Sequence, residues 1–377
     1  MTNNNFTIKL FGLIALVTTI SSCQSSQGDI SDSLSNSSSN STTVSSIESS
    51  SLNESSSQIL SYSIYKNPVY DFDFPDPTIV KHSDGYYYAF CTGTRIIKSL
   101  DLVEWESVGI AISVRPTWGS SGASMWAPDV IFIKGQYVMY YSLSKWDDPN
   151  PGIGLATAPH PTGPWTDLGK FFLSDEIGVN NSIDPQAFID VDGRVYLIWG
   201  SFRGIYAIEL TDDGLDFKDG SVGTANENKT RLAGFETSRP LEVNTFEAAY
   251  IIYRNNYYYL FLSNGQCCSG SYSYNVRVAR AESVLGPYTD ANQRSMLSGD
   301  VGTYVVFGNN QFAAPGHNSI VQDDVGNDWM LYHAYVGENR NKRVLMLDKL
   351  LWDENGFPYL LGTTPSNNRK KGPELYL

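Results

Sequence analysis

Five stretches of this chain share one pattern: an apolar-rich run, a short polar turn, and a second run that opens on or near an aromatic residue. They read FPDPTIVKHSDGYYYAF from Phe74, WAPDVIFIKGQYVMYYS from Trp126, SIDPQAFIDVDGRVYLIWG from Ser182, TFEAAYIIYRNNYYYLFLS from Thr245 and PGHNSIVQDDVGNDWMLYHAY from Pro315. Each is a hairpin signal, two runs of strand-forming residues flanking a turn rich in Gly, Asn and Asp. A repeated supersecondary unit of this kind cannot bury its apolar faces alone and must stack on its neighbours. Five units over about 300 residues give roughly 60 residues per unit, enough for four antiparallel strands with surplus in loops. The expected fold is all-β, a five-bladed β-propeller over residues 63–377. Further pieces recur downstream of the hairpins: Ser99 to Trp105, Ala158 to Trp165 and Ala281 to Tyr288 each read as a turn leading to one anchoring aromatic and an outer strand. Val344 to Leu361, with its Asn355-Gly356 turn, is expected to complete the last blade. Most of Tyr86–Tyr88 and Tyr257–Tyr259 should be core.

The segment before the repeats has a different composition. Lys9 precedes an apolar run from Leu10 to Ile20, followed by Ser21, Ser22 and Cys23. That is a secretory hydrophobic region, residues 1–22, too short for a good membrane span. Ile20-Ser21-Ser22-Cys23 is similar to a bacterial lipobox, which implies lipidation of Cys23. Residues 31–57 hold 15 serines and cannot build a core, so residues 23–62 read as a flexible tether. The chain is expected to be exported, anchored to a membrane only through that lipid, displayed at the cell surface, and monomeric. Net charge is 26 minus 40, or −14, which disfavours nucleic acid as a partner and fits a neutral substrate. Cys91, Cys267 and Cys268 show no metal-ligand spacing. The adjacent pair Cys267-Cys268 is open to a vicinal disulfide or to two free thiols.

Aligned on their turns, the five units each place a polar residue at or just before the first strand: Asp76, Asp129, Asp184, Glu247 and His317. First strands line a propeller's central channel, so four carboxylates and an imidazole are expected to converge at its mouth. Like charges at close range push pKa values apart, which separates a proton donor from a proton acceptor. Cleavage of a glycosidic bond needs such a pair: one carboxylic acid protonates the leaving oxygen and one carboxylate acts opposite it.

Phe74-Pro75-Asp76-Pro77, Trp126-Ala127-Pro128-Asp129, Ser182-Ile183-Asp184-Pro185, Glu247-Ala248 and Gly316-His317-Asn318-Ser319 together resemble the motif set of glycoside hydrolase family 43, in order from about residue 70 to the end. Cys267-Cys268-Ser269-Gly270 resembles the endo-1,5-α-L-arabinanases of that family. The resemblance implies inverting hydrolysis of arabinan, with Asp76 as general base, Glu247 as general acid and Asp184 orienting the acid and tuning its pKa. Base and acid should then stand roughly 6.5–9.5 Å apart. Asp129 is expected to be structural. His317 is expected beside a calcium ion completed by water. Trp126 is a candidate sugar platform, and the resemblance adds Asn181, Ser182, Ser201 and Arg203 as substrate contacts. The alternatives are an exo-acting arabinofuranosidase or β-xylosidase on the same fold, or a surface lipoprotein that binds glycans without cutting them.

Overall fold

The computed structural model describes residues 60–235, 246–268 and 272–376. The leader, Cys23 and nearly all of the serine tether lie outside the described residues. Leu60 and Ser61, read as the end of the tether, are instead a strand paired with Leu375–Tyr376.

The expected propeller is present. Thr78–Lys81, Tyr87–Cys91, Arg95–Ser99 and Glu106–Ile110 form blade I as an antiparallel meander. Blade II is Ser124–Ile133, Gln136–Ser144, Gly152–Ala158 and Thr166–Leu173. Blade III is Gln186–Ile189, Val195–Trp199, Ile205–Leu210 and Thr230–Ala233. Blade IV is Phe246–Arg254, Tyr257–Asn264, Asn275–Ala281 and Thr303–Phe307. Blade V has three strands, Phe312–Gln322, Asp328–Val336 and Asn339–Lys349.

The last blade corrects one expectation. Val344 to Leu361 does not supply its outer strand. Leu351–Trp352 and Pro358–Tyr359 form a separate small hairpin. The outer edge of Asn339–Lys349 is taken by chain preceding blade I: Leu345 exchanges backbone hydrogen bonds with Val69 and Tyr70, and Phe74 N–H donates to Arg343 O. The two ends of the ring are thereby joined.

The second strand of each blade is buried almost throughout. Both of its faces pack on neighbouring blades, which explains near-continuous runs such as Tyr137–Leu143 and Tyr196–Trp199. Five hydrophobic clusters sit between successive blades, including one between V and I where Phe74, Ile79 and Tyr87 meet Trp329, Leu331 and Leu345. The anchoring aromatics behave alike. Trp105 Nε1 donates to Leu102 O, Trp165 Nε1 to Pro161 O and Tyr288 OH to Val284 O. In blade IV, however, the outer strand does not follow the aromatic directly but begins at Thr303. Turns obey local chemistry: Lys134-Gly135 and Asn255-Asn256 both take positive φ, as a two-residue hairpin turn requires.

Candidate active site

One backbone device builds the site. Asp76, Ala127, Asp184, Ala248 and His317 all adopt left-handed φ, between 40° and 58°. Each costs about 1–3 kcal/mol for a residue with a Cβ. Two residues further on, pairing with the second strand is regular in every blade: Thr78 with Phe90, Asp129 with Tyr140, Gln186 with Ile198, Tyr250 with Phe261 and Ser319 with Leu331. These are the five equivalent positions, and they correct the sequence register. Asp76, Asp184 and His317 do share one place in the repeat. Asp129 lies two residues beyond it and Glu247 one residue before it, because Ala127 and Ala248 hold the place in blades II and IV. Trp126 stands where Glu247 stands, one residue ahead of the left-handed position.

The preceding blade holds each left-handed residue. Ala127 N–H donates to Thr92 Oγ1 at 2.9 Å, Asp184 N–H to Ser142 Oγ at 2.9 Å, His317 N–H to Ser263 Oγ at 2.8 Å and Asp76 N–H to His333 Nδ1 at 3.1 Å. Thr92, Ser142, Ser263 and His333 are themselves equivalent, each two residues past a paired position. In blade III that position is Gly200, which has no side chain to offer. Ala248 N–H instead donates to Asp184 Oδ2 at 3.2 Å. The exception ties Asp184 to the residue beside Glu247.

The three carboxylates differ in environment. Asp76 Oδ1 lies 3.0 Å from Arg343 Nη1 and 3.4 Å from Nδ1 of both His317 and His333, and Oδ2 accepts from Thr92 Oγ1 at 2.6 Å. Burial alone would raise its pKa, but Arg343, then the histidines and Thr92, hold it well below the usual carboxylate range. Arg343 is the permanent charge among them. His333 is fully buried and driven well toward its neutral form, and its Nδ1 is occupied in accepting from Asp76 N–H. Glu247 is buried and shifts the other way. Burial raises its pKa above the ordinary value against hydrogen bonds from Ser201, whose Oγ donates to Oε2 at 2.7 Å, and from Tyr274. Asp184 is raised well above its ordinary value by burial and by the charges of Glu247 and Asp76. The site therefore holds one carboxylate that stays ionised and two that resist ionising.

Other expected residues divide. Asp129 is buried, accepts from Thr78 Oγ1 at 2.7 Å and Ala187 N–H at 2.8 Å, and is pushed up to about 6 by burial. It links blades I, II and III below the site. Ser182, expected at the substrate, is wholly buried. Its hydroxyl donates to Val179 O and accepts from Trp199 Nε1, and with 0% exposure it presents no surface to a ligand. Ser201 also turns inward, toward Glu247. Asn181 Nδ2 donates to Ser201 O at 3.0 Å, which braces that serine, and Arg203 is half-buried in the same loop. Trp126 is half-buried, not core, and its ring lies 5.5 Å from that of Trp146, which is 71% exposed.

Arg343, Tyr274 and Trp146 were not anticipated. Tyr274 packs so close to Gly316 that a Cβ there would fall 2.0 Å from the ring, which explains the glycine before His317. Cys267 and Cys268 are disulfide-bonded to each other, resolving the open alternative, and Cys268 Sγ lies 3.6 Å from Arg343.

First-strand residues of all five blades, Thr78, Asp129, Gln186, Tyr250 and Asn318 among them, surround a small axial cavity that His317 also lines. Both amide atoms of buried Asn318 and the hydroxyl of Ser319 have no hydrogen-bond partner among the described residues. Such orphaned groups cost about 1–3 kcal/mol each unless something meets them. The imidazole of His317 and the amide oxygen of Asn318 fit a cation that keeps most of its own water. Calcium accepts that mixture provided oxygen dominates.

Comparison with known proteins follows the same lines. The sequence profile described as Glycosyl hydrolases family 43 matches residues 65–358. The extracellular endo-α-(1→5)-L-arabinanase 1 of Bacillus subtilis is 31% identical over 296 residues, 75% of this chain and 86% of that protein. The extracellular exo-α-(1→5)-L-arabinofuranosidase of Cellvibrio japonicus is 31% identical over 300 residues, 76% of this chain and 86% of that one. The structure of Cellvibrio cellulosa α-L-arabinanase complexed with arabinohexaose superposes with a TM-score of 0.67 at 29% identity, covering 77% of this chain and 96% of that one.

Proposed function

The chain belongs to glycoside hydrolase family 43, and on that premise we propose that it hydrolyses α-1,5-linked L-arabinofuranosyl bonds of arabinan with inversion at the anomeric carbon. The observation that carries this reading is the opposed ionisation of the buried carboxylates: Asp76 held ionised beside Arg343, Glu247 and Asp184 held toward their neutral forms. The Asp76 carboxylate takes a proton from water as that water's oxygen bonds to the anomeric carbon. The Glu247 carboxyl gives its proton to the glycosidic oxygen as the old C–O bond breaks. Asp184, bonded to Ala248 N–H, holds the Glu247 backbone, and two neighbouring buried carboxyls cannot both ionise readily, which keeps the acid protonated. Solvent then returns the proton from Asp76 to Glu247.

Trp126 and Trp146 offer adjacent aromatic faces for sugar rings further along the chain, with Arg203 near the loop that carries Ser201. His317 and Asn318 would hold calcium, which when bound supplies fixed positive charge at the axis and no redox chemistry. The leader, Cys23 and the serine-rich tether support export and lipid anchoring at the cell surface. Both relatives above are named extracellular.

The test is a time course on linear α-1,5-arabinan with calcium present and products separated by chromatography. A ladder of oligosaccharides that shortens with time is the expected result. Arabinose or one fixed short oligomer from the first time point would show exo-action, the second reading, which rests on 31% identity to an exo-acting relative, equal to that of the endo-acting one. No product from folded protein would remove the arabinan assignment. Glu247→Ala protein that still binds oligosaccharide without cutting it would separate catalysis from glycan capture.

A further inference from the structure

The chain has four histidines. Two, His317 and His333, face Asp76. The other two meet on the opposite face of the propeller. His82 follows the end of Thr78–Lys81 that points away from Asp76, and His160 follows Gly152–Ala158, which runs away from the end where Ser142 holds Asp184. The separation along the first strand is about 20 Å.

There His82, Asp84 and His160 each bring one ligand atom to a common point, with all three atoms within 4.8 Å of one another. Asp84 Oδ2 is 3.7 Å from His160 Nε2, and the two imidazole rings are 4.5 Å apart in an edge-to-face arrangement. Nδ1 of both rings is engaged, that of His82 with Tyr137 OH at 2.6 Å and that of His160 with Thr162 Oγ1 at 2.8 Å and with Thr162 N–H, which donates to it at 3.2 Å. An ion on Nε2 of His160 therefore requires Nδ1 to take the ring proton and donate it to Thr162 Oγ1. Asp84 is oriented by Tyr86 N–H at 2.9 Å and Tyr88 OH at 2.7 Å. Both backbone segments are closed turns, with Gly85 N–H donating to His82 O and Gly163 N–H to His160 O. Side chains of Asp84 and His160 are each 35% exposed, so an ion has a way in and water can complete its shell.

We propose that His82, Asp84 and His160 form a second metal site, taking a first-row divalent cation of the zinc class through two imidazole nitrogens and one carboxylate oxygen. Nitrogen donors select zinc-like ions over calcium. Metal–ligand bonds of about 2.0–2.2 Å place tetrahedral ligands about 3.3 Å apart, so Asp84 and His160 close by only a few tenths of an ångström and His82 by side-chain rotation. The ion clamps the first turn of blade I to the rim of blade II, far from the reacting bond, and stabilises the ring without entering the reaction.

The experiment is calorimetric titration of chelator-stripped protein with zinc chloride, alongside thermal unfolding. One equivalent of zinc is expected to be lost in His160→Gln and in His82→Gln, and kept in His317→Gln. At hundredfold excess over its Kd, zinc should raise the unfolding midpoint by on the order of 5 °C in the native protein only, and calcium should not reproduce this His160-dependent rise. In chelator both variants should melt near the native midpoint. Equal zinc uptake by native protein and both variants would overturn the proposal, as would no uptake at all, leaving Asp84 and His160 as a surface ion pair.

Discussion

Replacing Arg343 by Met tests the electrostatic division of the site most directly. Its guanidinium sits 3.0 Å from Asp76 Oδ1, with side-chain exposures of 19% and 12%. At an effective dielectric constant of about 20, two unit charges at that distance attract by about 5 kcal/mol. Part of this returns in the variant, since Thr92 still donates and His317 remains 3.4 Å away. Loss of a close opposite charge raises a carboxyl pKa by about 1–3 pH units. The acid limb of kcat/KM, which reports the free enzyme's base, should climb by that amount. The basic limb should move up less, because Arg343 is the leading charge on Asp76 but only a minor one on Glu247. Stability shifts in a defined direction. Asp76 has a depressed folded pKa, so its contribution is present above the ordinary aspartate value and lost as pH falls toward the folded one. Without Arg343 much of that contribution is missing already at neutral pH. Breaking a buried pair costs about 3–5 kcal/mol, a drop of roughly 6 °C or more in unfolding midpoint for a domain of this size. The assay is kcat/KM on linear α-1,5-arabinan against pH, with a melting curve at each pH. An acid limb that stays in place while activity falls uniformly would refute the reasoning and remove the support for Asp76 as the base.

Three further outcomes are expected. Ser201→Ala removes a donor that favours ionised Glu247, worth about 1 kcal/mol, so the basic limb of the same profile should extend upward by about half to one pH unit. Trp146→Ala should raise KM for long arabino-oligosaccharides roughly five- to tenfold, the equivalent of about 1 kcal/mol of apolar burial, and leave the shortest substrates unchanged. Gly200→Ala sets a Cβ 2.3 Å from Gly204 O at a φ of +124°, and should cost about 3 kcal/mol or more in thermal unfolding and lower kcat by disturbing the Asp184–Ala248 link.

How legible this was depended on the range of the interaction that fixed each feature. Hairpins, turns and blade number were readable because each is encoded within about twenty residues: an aromatic-led second strand, and a turn such as Lys134-Gly135 that must take positive φ. The register of the site residues was not, because it depends on one left-handed residue per blade. A polar residue at an offset of none, as in Asp76, of minus one, as in Glu247, or of plus two, as in Asp129, looks much the same in sequence. In the fold the three offsets mean facing the axis beside Arg343, hydrogen bonding to Ser201, and tying adjacent blades together. The directions of the Ser182 and Ser201 hydroxyls are illegible for a related reason. A hydroxyl's direction is set by partners such as Trp199 and Glu247, 17 and 46 residues away. Arg343 lay hidden in the basic run Arg340-Asn341-Lys342-Arg343, which reads as a solvated surface, and its partner Asp76 is 267 residues away. A buried carboxylate kept ionised nevertheless demands a cation. The search that would have found Arg343 begins from the charge Asp76 must carry and looks for a basic residue in strands that are otherwise apolar. Arg343, leading into Val344-Leu345-Met346-Leu347, satisfies that condition.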